Sequence, residues 1–294
     1  MRAYAIGDIH GQLRKLQHAH MLIEQDRVET GDDAALVIHL GDLVDRGANS
    51  RKVIELLMQG QAEGQPWIVL KGNHDRMMAL YLQTPSARDH RLRTDLEWLH
   101  PRIGGLTALE SYGVDTTLPA DAMHRAARTA VPQEHVEYLE DLLPFYRMEG
   151  LFFCHAGVKP GVPLQEQVED DLIWIRDEFH QSHLDHGALI IHGHTPVYSV
   201  SHYGNRVDID TGSAFGHDLS TVVIEDGQVF LLTDEGRKAV LPNRDQPHNM
   251  GQARVTPAPA PGEALPAQPV PQPVAAKPAG QTDLGPAPQL KNRG

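Results

Sequence analysis

Cysteine is nearly absent from this sequence, which contains only Cys154. A single cysteine cannot form a disulfide within the chain, so the sequence does not belong to the small disulfide-stabilised secreted proteins. We expect Cys154 to be a small buried residue of a strand. Long apolar runs are also lacking: none approaches the about 18 residues that a membrane-spanning helix needs.

The N-terminal apolar stretch, residues 1–6, is too short for a signal peptide and leads directly into Gly7 and Asp8. We therefore expect a cytoplasmic globular protein that does not bind membranes. Positive charge is scarce as well, because 26 lysines and arginines face 39 aspartates and glutamates, for a formal net charge of −13. A surface this negative repels polyphosphate backbones, which argues against nucleic-acid binding, and it attracts divalent cations.

The composition changes near Pro242. Residues 243–294 contain no aromatic side chain and 11 of the 21 prolines, with much of the remainder alanine and glutamine. Because so few large apolar groups cannot offset the entropy lost on ordering, we expect a disordered tail, partly in the polyproline II conformation. Residues 1–242 then form the folded domain. The tail is expected to be a linker, with docking of a proline-reading partner around residues 257–261 as the alternative.

Short apolar runs alternate with helical patterns over residues 1–242, which is typical of an α/β protein. Helical stripes occur over residues 13–23 and 53–58, and residues 76–149 are predicted to be a helical insertion. Asp226-Gly227 is a two-residue hairpin signal. The predicted strands are residues 2–6, 34–40, 67–70, 151–154, 188–191, 221–225 and 228–232.

Polar motifs follow five of these strands: GDIHG at 7–11, GDLVDRG at 41–47, GNHD at 72–75, HAG at 155–157 and HGHTP at 192–196. Ligands gather outside the carboxyl ends of strands in open α/β sheets, so the five motifs predict one shared site. Aspartate, histidine and asparagine without a thiolate form a donor set that suits Mn²⁺, Fe or Zn²⁺ and suits Ca²⁺ poorly. The donors suffice for two ions held about 3.5–4 Å apart by a bridging carboxylate.

These motifs, in this order, resemble those of the calcineurin-like metallophosphoesterases, in the bacterial branch of the serine/threonine phosphoprotein phosphatase superfamily. Residues 104–113, 171–176 and 210–212 are similar to further segments of that branch. The resemblance covers about residues 1–235. It implies an α/β fold in which two mixed β-sheets pack face to face, flanked by helices, and it makes residues 1–242 the expected catalytic domain.

Six residues match the metal ligands of that family, and the implied cofactor is two divalent metal ions. Mn²⁺ is the expected metal, with Fe or Zn²⁺ as alternatives. The resemblance implies that a hydroxide bridging the two metals attacks phosphorus. By position, the first ion corresponds to Asp8 and His10, the bridging carboxylate to Asp42, and the second ion to Asn73, His155 and His194.

Four residues match groups that handle the substrate in the family. His74 resembles the general acid that protonates the leaving alkoxide, a task that suits an imidazole with an ordinary pKa of about 6.5. Asp45 resembles the carboxylate that orients His74 and favours its protonated form by raising its pKa. Arg46 and Arg176 resemble the arginines that bind the phosphate through paired donors.

Other histidines and arginines are expected to be structural. His192 precedes the glycine of the GHTP motif, so we expect it to support the site rather than bind metal. Three histidines are expected in a solvated helix end and its following loop: His180, His183 and His186. A solvated face is also expected for Arg88, Arg91 and Arg93, with contact to an acidic or phosphorylated substrate as the alternative.

The resemblance implies a phosphoester hydrolase, and two substrate classes compete. A protein phosphatase acting on phosphoserine and phosphothreonine, with phosphotyrosine left open, benefits from a well-oriented acid because alkoxide leaves poorly. Dinucleoside polyphosphate hydrolases of the superfamily usually carry a small residue where this sequence has Asp45. We therefore predict a phosphatase for phosphorylated protein or a small phosphoester, with diadenosine tetraphosphate hydrolysis as the alternative. A non-catalytic scaffold that acts through the proline-rich tail is the third possibility.

Overall fold

The computed structural model describes residues 1–243. The predicted tail therefore lies, apart from Asn243, outside the described residues, and its proposed disorder and docking role stay predictions. None of the helices within residues 1–243 is long and apolar enough to cross a membrane.

The described chain forms eleven strands and eight α-helices, with two short 3₁₀ turns at Leu164–Glu166 and Ser213–Phe215. The strands are β1 (Arg2–Ile6), β2 (Leu36–His39), β3 (Trp67–Val69), β4 (Phe145–Met148), β5 (Leu151–Cys154), β6 (Leu189–His192), β7 (Ser201–His202), β8 (Arg206–Asp208), β9 (Thr221–Glu225), β10 (Gln228–Thr233) and β11 (Gly236–Ala239). The helices are α1 (Leu13–Thr30), α2 (Ser50–Ala62), α3 (Asn73–Gln83), α4 (Gly105–Ser111), α5 (Ala120–Ala130), α6 (Gln133–Asp141), α7 (Glu169–Trp174) and α8 (Asp177–His180).

The strands are arranged in two mixed sheets. The first has the order β11-β10-β9-β1-β2-β3, and the second has the order β4-β5-β6-β8-β7. In the first sheet β1 runs parallel to β2, with Ala5 opposite Ile38, and antiparallel to β9. In the second sheet β6 runs parallel to both β5 and β8. Each sheet therefore has parallel strands in its interior, and within each sheet the carboxyl ends of these strands lie at the same edge.

The alternation of side chains along the strands builds the layers of the fold. One set of alternating residues from both sheets forms a shared buried cluster between them, which includes Ala5, Ile38, Phe153, Ile191 and Val207. The neighbouring residues point outward: Tyr4 and Ile6 pack beneath the helices of the first sheet, and Cys154 packs with Phe179 of α8. Two sheets thus pack face to face with helices outside, which confirms the predicted fold and the burial of Cys154.

Most of the predicted elements are present. Seven predicted strands coincide with β1, β2, β3, β5, β6, β9 and β10, to within a few residues at their ends. The predicted hairpin is formed: Glu225 pairs with Gln228, and Asp226 and Gly227 have φ angles of 48° and 78°. Two consecutive positive φ angles are those of the hairpin turn that the Asp-Gly pair favours.

Four strands were not predicted, and each has a local reason. β7 and β8 are only two and three residues long, and β8 contains Arg206 and Asp208, charged residues that are nonetheless buried. The polar sequence of β11 lies at the edge of its sheet. β4 closes the insertion over residues 76–149, and its side chains are partly buried or exposed. The insertion is helical only in part: it contains most of α3 and all of α4, α5 and α6, but residues 84–104 form turns and irregular backbone.

Candidate active site

The five predicted motifs begin where strands end, and the sheets bring those ends together. Because β1 and β2 are parallel neighbours, Asp8 and Asp42 emerge at the same edge. The backbone N–H of His10 donates to the carbonyl of Asp42 at 2.7 Å, which joins the first two loops. In the second sheet, the backbone N–H of Gly193 donates to the carbonyl of His155 at 2.8 Å, which joins the last two. Each sheet therefore contributes one joined pair of loops.

Left-handed backbone is concentrated in these loops. Within residues 1–243, six residues other than glycine have a positive φ, and one of them is Asp226 of the hairpin. The other five all belong to the predicted site: His10, Asp42, Asp45, Arg46 and His194. Such a conformation costs about 1–3 kcal/mol per residue and persists only where the surrounding structure imposes it. The fold therefore holds the backbone of these residues in a conformation that their side chains disfavour, and this fixes the direction in which each side chain leaves the loop.

Gly72 lies against Asp42 more closely than any other residue type would allow. A Cβ on Gly72 would be 2.2 Å from the backbone nitrogen of Asp42 and 2.2 Å from its Oδ1. The carboxylate of Asp75 fastens the same loops, accepting the backbone N–H of Gly72 at 2.8 Å and that of Leu43 at 2.9 Å. Helix α3 consequently begins with Asn73 beside the Asp42 carboxylate.

Asp42 occupies the centre of the site with one oxygen toward each side. Its Oδ2 lies 3.4 Å from Nε2 of His10, and its Oδ1 lies 3.3 Å from Nε2 of His155. The backbone N–H of His74 also donates to Oδ1 at 3.0 Å. Burial favours the neutral form of Asp42, but the neighbouring imidazoles outweigh burial and hold its pKa below the ordinary range. A carboxylate with its two oxygens facing opposite donor groups is suited to bridging two cations.

The donors on the second side are close together. Nε2 of His155 lies 3.0 Å from Oδ1 of Asn73 and 3.2 Å from Nδ1 of His194. With Asp42, these residues place one carboxylate oxygen, one amide oxygen and two imidazole nitrogens around one point. All four are buried. A divalent ion such as Mn²⁺, Fe²⁺ or Zn²⁺ accepts this mixture of donors.

Two of the imidazoles are held in the form that a metal ion requires. Nδ1 of His10 lies 2.9 Å from the carbonyl of Val44, and Nδ1 of His155 lies 2.9 Å from the carbonyl of Leu40. Each Nδ1–H therefore donates to the backbone, which leaves the Nε2 lone pair to act as an acceptor or a metal ligand. In this structure Nε2 of His10 accepts an N–H of Arg46 at 2.7 Å. Burial lowers the pKa of His155, and it lowers that of His10 to about 3. Neutral imidazoles beside an ionised carboxylate fit a divalent metal centre.

Asp8 lies at the margin of this arrangement. Its carboxylate accepts the backbone N–H of His194 at 3.1 and 3.3 Å, and it is not one of the residues grouped tightly around Asp42. Burial and the carboxylates of Asp210 and Asp42 raise the pKa of Asp8 well above its ordinary value. Asp210 is a site residue for which the sequence suggested no role, although it begins the DTG segment. Three buried carboxylates this close together favour bound cations.

His74 and Asp45 form a buried pair on the side of Asp42 where His10 lies. Nδ1 of His74 lies 2.6 Å from Oδ2 of Asp45. The pKa shifts are opposite to the prediction that Asp45 raises the pKa of His74: burial and the Arg46 guanidinium lower the pKa of His74, and burial raises that of Asp45. Burial is therefore the largest influence on the pKa of both groups.

The two predicted phosphate-binding arginines differ in their surroundings. One Arg46 nitrogen lies 2.7 Å from Nε2 of His10, and the other terminal nitrogen lies 3.1 Å from Nε2 of His74. Arg176 donates to the hydroxyl of Thr195 at 3.0 Å, and burial lowers its pKa. Both guanidinium groups therefore lie at the site, and Thr195 is a neighbour that the motif analysis did not single out.

His192 lies outside both groups of donors around Asp42. It forms a separate buried group with His180 and Asp208, whose potential ligand atoms lie within 4.8 Å of one another. Burial, His180 and the Arg206 guanidinium all lower the pKa of His192. The expectation that His192 supports the site without binding metal stays a prediction. The expectation that His180 is solvated is wrong, since Phe179 and β6 cover it.

The arginines of the insertion are largely engaged within the chain. Arg88 donates to the carbonyls of Leu92 and Leu96 and so closes the loop between them. Arg93 forms an exposed pair with Asp95 at 2.7 Å. These contacts favour the structural interpretation over a substrate contact.

Comparison with known sequences finds a matching family and several relatives. The sequence model of the calcineurin-like phosphoesterases matches residues 1–224. A curated relative, the asymmetrical bis(5'-nucleosyl)-tetraphosphatase PrpE of Bacillus thuringiensis, is 22% identical over 244 residues, which covers 76% of this chain and 90% of the relative. A second relative of the same name, from Bacillus anthracis, is also 22% identical over 244 residues.

Solved structures share the fold at low sequence identity. A crystal structure of a putative diadenosine tetraphosphatase has a TM-score of 0.52 and 17% identity, and the match covers 82% of this chain and 95% of that one. A cold-active protein-tyrosine phosphatase of a psychrophilic Shewanella has a TM-score of 0.52 and 15% identity, over 82% of this chain and 80% of that one. At these identities the likeness establishes the two-sheet architecture alone.

Proposed function

The chain belongs to the calcineurin-like phosphoesterase family, and from that premise we propose that it is a protein phosphatase acting on phosphoserine and phosphothreonine. One observation supports this choice above the others: the 2.6 Å contact between Asp45 and His74. A carboxylate that orients an acid is most useful where the leaving group is a poor one, and serine and threonine alkoxides leave poorly. Phosphotyrosine is a further substrate to be tested.

Under this proposal, two divalent ions, Mn²⁺ first and Fe or Zn²⁺ as alternatives, are held around Asp42. Such ions act as Lewis acids on phosphoryl oxygens and make water acidic enough to attack phosphorus near neutral pH. The neutral imidazoles and the ionised Asp42 described above are suited to holding them. The proposed ligands are Asp8 and His10 for the first ion, Asp42 for both, and Asn73, His155 and His194 for the second.

The remaining residues act on the substrate itself. Arg46 and Arg176 bind the phosphate oxygens and offset the negative charge that develops as the ester bond breaks. Nε2 of His74 accepts an N–H of Arg46 at 3.1 Å, so a phosphate bound by Arg46 would bring its leaving oxygen within reach of Nε2, and His74 acts as the acid in its protonated form. His74 then donates the proton to this oxygen, while Asp45 keeps the ring in place through Nδ1.

The second candidate is asymmetrical dinucleoside tetraphosphate hydrolysis. The curated relatives carry this name, although at 22% identity they do not transfer it. A feature of the site also favours it: the ring of Phe215 lies 5.2 Å from the guanidinium carbon of Arg46 and is 45% exposed. An exposed aromatic ring beside a phosphate-binding arginine offers a surface on which a nucleobase can stack.

Steady-state kinetics of the Mn²⁺-loaded protein would distinguish the candidates. Phosphoserine, phosphothreonine and phosphotyrosine peptides would be compared with diadenosine tetraphosphate at one pH. The proposal predicts that kcat/KM for the phosphoserine peptide exceeds that for the nucleotide by about tenfold or more. Protein carrying Asp42→Asn, prepared in parallel, controls for contaminating phosphatases. A large preference for diadenosine tetraphosphate would overturn the first proposal in favour of the second.

A further inference from the structure

The indole of Trp98 reaches the Asp45 carboxylate from the insertion. Its Nε1 lies 2.9 Å from Oδ2 and 3.1 Å from Oδ1 of Asp45, and both residues are buried. An indole has only this one polar hydrogen, so the bond satisfies Trp98 and places a donor on a carboxylate that burial would otherwise destabilise. Asp45 thus accepts hydrogen bonds from two side chains, Trp98 and His74, on the same buried carboxylate.

The two consecutive glycines Gly104 and Gly105 allow this approach. A Cβ on Gly105 would lie 2.6 Å from the Trp98 ring, and a Cβ on Gly104, at φ +94°, would lie 2.6 Å from the backbone nitrogen of Arg46. The Gly104 carbonyl accepts the Arg46 backbone N–H at 3.3 Å, and the Trp98 carbonyl accepts that of Gly105 at 3.2 Å. The insertion is therefore fastened to the Asp45-Arg46 turn at the point where Trp98 enters.

The position of the indole is further restricted by its neighbours. The Tyr81 ring packs against the Trp98 ring with centroids 4.8 Å apart. The backbone N–H of Asp45 donates to the Ser50 hydroxyl at 3.1 Å, and Asp45 has a φ of 73°. Both partners of the indole–carboxylate bond are therefore held independently of each other. Among residues 1–243, the Trp98 indole forms hydrogen bonds with Asp45 alone and has none to His74 or the arginines, so we expect its effect on chemistry to pass through Asp45.

We propose that Trp98 is a positioning residue for proton delivery to the leaving group. Its N–H fixes the plane of the Asp45 carboxylate so that Oδ2 holds the His74 ring with Nε2 toward the leaving oxygen. Without this donor, the carboxylate is free to rotate about its Cβ–Cγ bond, and its bond to His74 loses its fixed direction. This inference rests on the proposed function, in which His74 is the acid.

The test uses the full-length, metal-loaded protein and two esters with different leaving groups. A phosphoserine peptide needs protonation of its leaving oxygen, whereas p-nitrophenyl phosphate hardly does. Trp98→Phe removes the N–H and keeps an aromatic ring against Tyr81. Trp67→Phe is the matched control, since Trp67 packs on His20 away from the site. Metal content and KM are measured for each variant.

For Trp98→Phe we expect kcat on the phosphoserine peptide to fall about tenfold or more, and kcat on p-nitrophenyl phosphate to fall less than about threefold. KM and metal content should stay near those of the unmodified protein, and Trp67→Phe should change neither rate. Equal losses on both esters, or no loss on either, would show that Trp98 only packs and would overturn the proposal.

A double-mutant cycle separates failure of this inference from failure of the proposed function. If Trp98 acts through Asp45, then Trp98→Phe should add no leaving-group selectivity once Asp45→Asn is present. If Asp45→Asn alone is selective and Trp98→Phe is not, only the role of Trp98 is overturned. If Asp45→Asn is not selective either, the acid role of the His74 pair fails, and this inference fails with it.

A spectroscopic measurement avoids dependence on the folding of the Trp98 variant. In Zn²⁺-loaded protein, the indole N–H resonance of Trp98 is assigned by elimination, using Trp67→Phe and Trp174→Phe. An indole N–H bound to a carboxylate resonates downfield, so Asp45→Asn should shift this signal upfield and leave the other two in place. An unmoved Trp98 signal would contradict the hydrogen bond itself.

Discussion

The strand-end loops and the helical insertion both form the site, but they contribute to it in different ways. The strand-end loops, residues 7–12, 40–49, 71–75, 155–157 and 193–196, contain the donors grouped around Asp42 and all the left-handed site residues. The insertion, residues 76–149, supplies none of those donors within the described chain. Instead it contacts two loop residues: the Trp98 indole donates to the Asp45 carboxylate, and the Gly104 carbonyl accepts the backbone N–H of Arg46.

This difference predicts two kinds of defect. Changes to the cation donors of the strand-end loops should disturb the cations and so reduce hydrolysis of every substrate. Changes in the insertion should leave cation binding intact and affect either the leaving-group step or folding stability. The proposed difference between the two regions would be wrong if a variant of the insertion lost metal. It would also be wrong if substitution of a cation donor in the loops slowed hydrolysis of only one kind of ester.

The largest expected effect comes from the residue at the centre of the loops. Asp42→Asn removes the charge between His10 and His155, so we expect kcat/KM to fall about 1000-fold or more on every phosphoester. Metal content, measured by elemental analysis, should fall below two ions per chain. Retention of both ions with nearly full activity would show that Asp42 is not the bridging group.

Asp45→Asn should have the next largest effect, and a selective one, because Asp45 belongs to a loop but is held by the insertion. Loss of the carboxylate that holds His74 should lower kcat on a phosphoserine peptide about 100-fold. On p-nitrophenyl phosphate the loss should be severalfold at most, with metal content unchanged. Comparable losses on both esters would remove Asp45 from the proton-delivery step.

Gly72→Ala tests the close packing of the loops. The added methyl must displace Asp42, so we expect metal affinity to fall about 10- to 100-fold, measured by titration of the metal-free protein. Gly64→Ala is the control, because Gly64 lies in the turn between α2 and β3 and an added Cβ would have no atom within 4 Å. Its φ of +82° makes alanine strained there, so this variant should lose stability without losing metal affinity. Equal metal affinity in the two variants would contradict the role of Gly72.

Asp89→Asn, in the insertion, should have the smallest effect on catalysis. Asp89 is buried and accepts hydrogen bonds from Arg76 at 2.7 and 3.0 Å and from Trp174 at 3.1 Å. We expect the free energy of unfolding to fall by about 2–3 kcal/mol in urea denaturation, with activity per folded molecule unchanged. Asp95→Asn, which removes an exposed partner of Arg93, should leave stability unaltered. Loss of activity in folded Asp89→Asn protein would show that the insertion acts on more than its own stability and Asp45.

The strand-end loops and their metal donors can largely be predicted from the sequence, because strand ends and metal donors have local signatures. The motifs around Asp8, Asp42 and Asn73 follow apolar runs, and parallel strands bring such ends together. Short strands with charged residues were missed: Arg206 and Asp208 of β8 do not look like core residues until the second sheet is assembled.

The support of the site was less predictable, since it depends on burial and on contacts between distant segments. Asp45 and Trp98 are 53 residues apart, and the segment that holds Trp98 has no motif that points to Asp45. The direction of the His74 pKa shift was missed for the same reason: a carboxylate neighbour is visible in the sequence, whereas complete burial is not. Asp210 was visible only as part of a family segment.

The central claim is that the strand-end loops hold two cations on which hydrolysis depends. Its most direct test is elemental analysis of the purified full-length protein, with the rate on p-nitrophenyl phosphate followed during chelation and after Mn²⁺ is added back. The account predicts two ions per chain, loss of activity as they are removed, and recovery on return of the metal. A fully active preparation with fewer than two ions per chain, or a rate that chelation leaves unchanged, would contradict it.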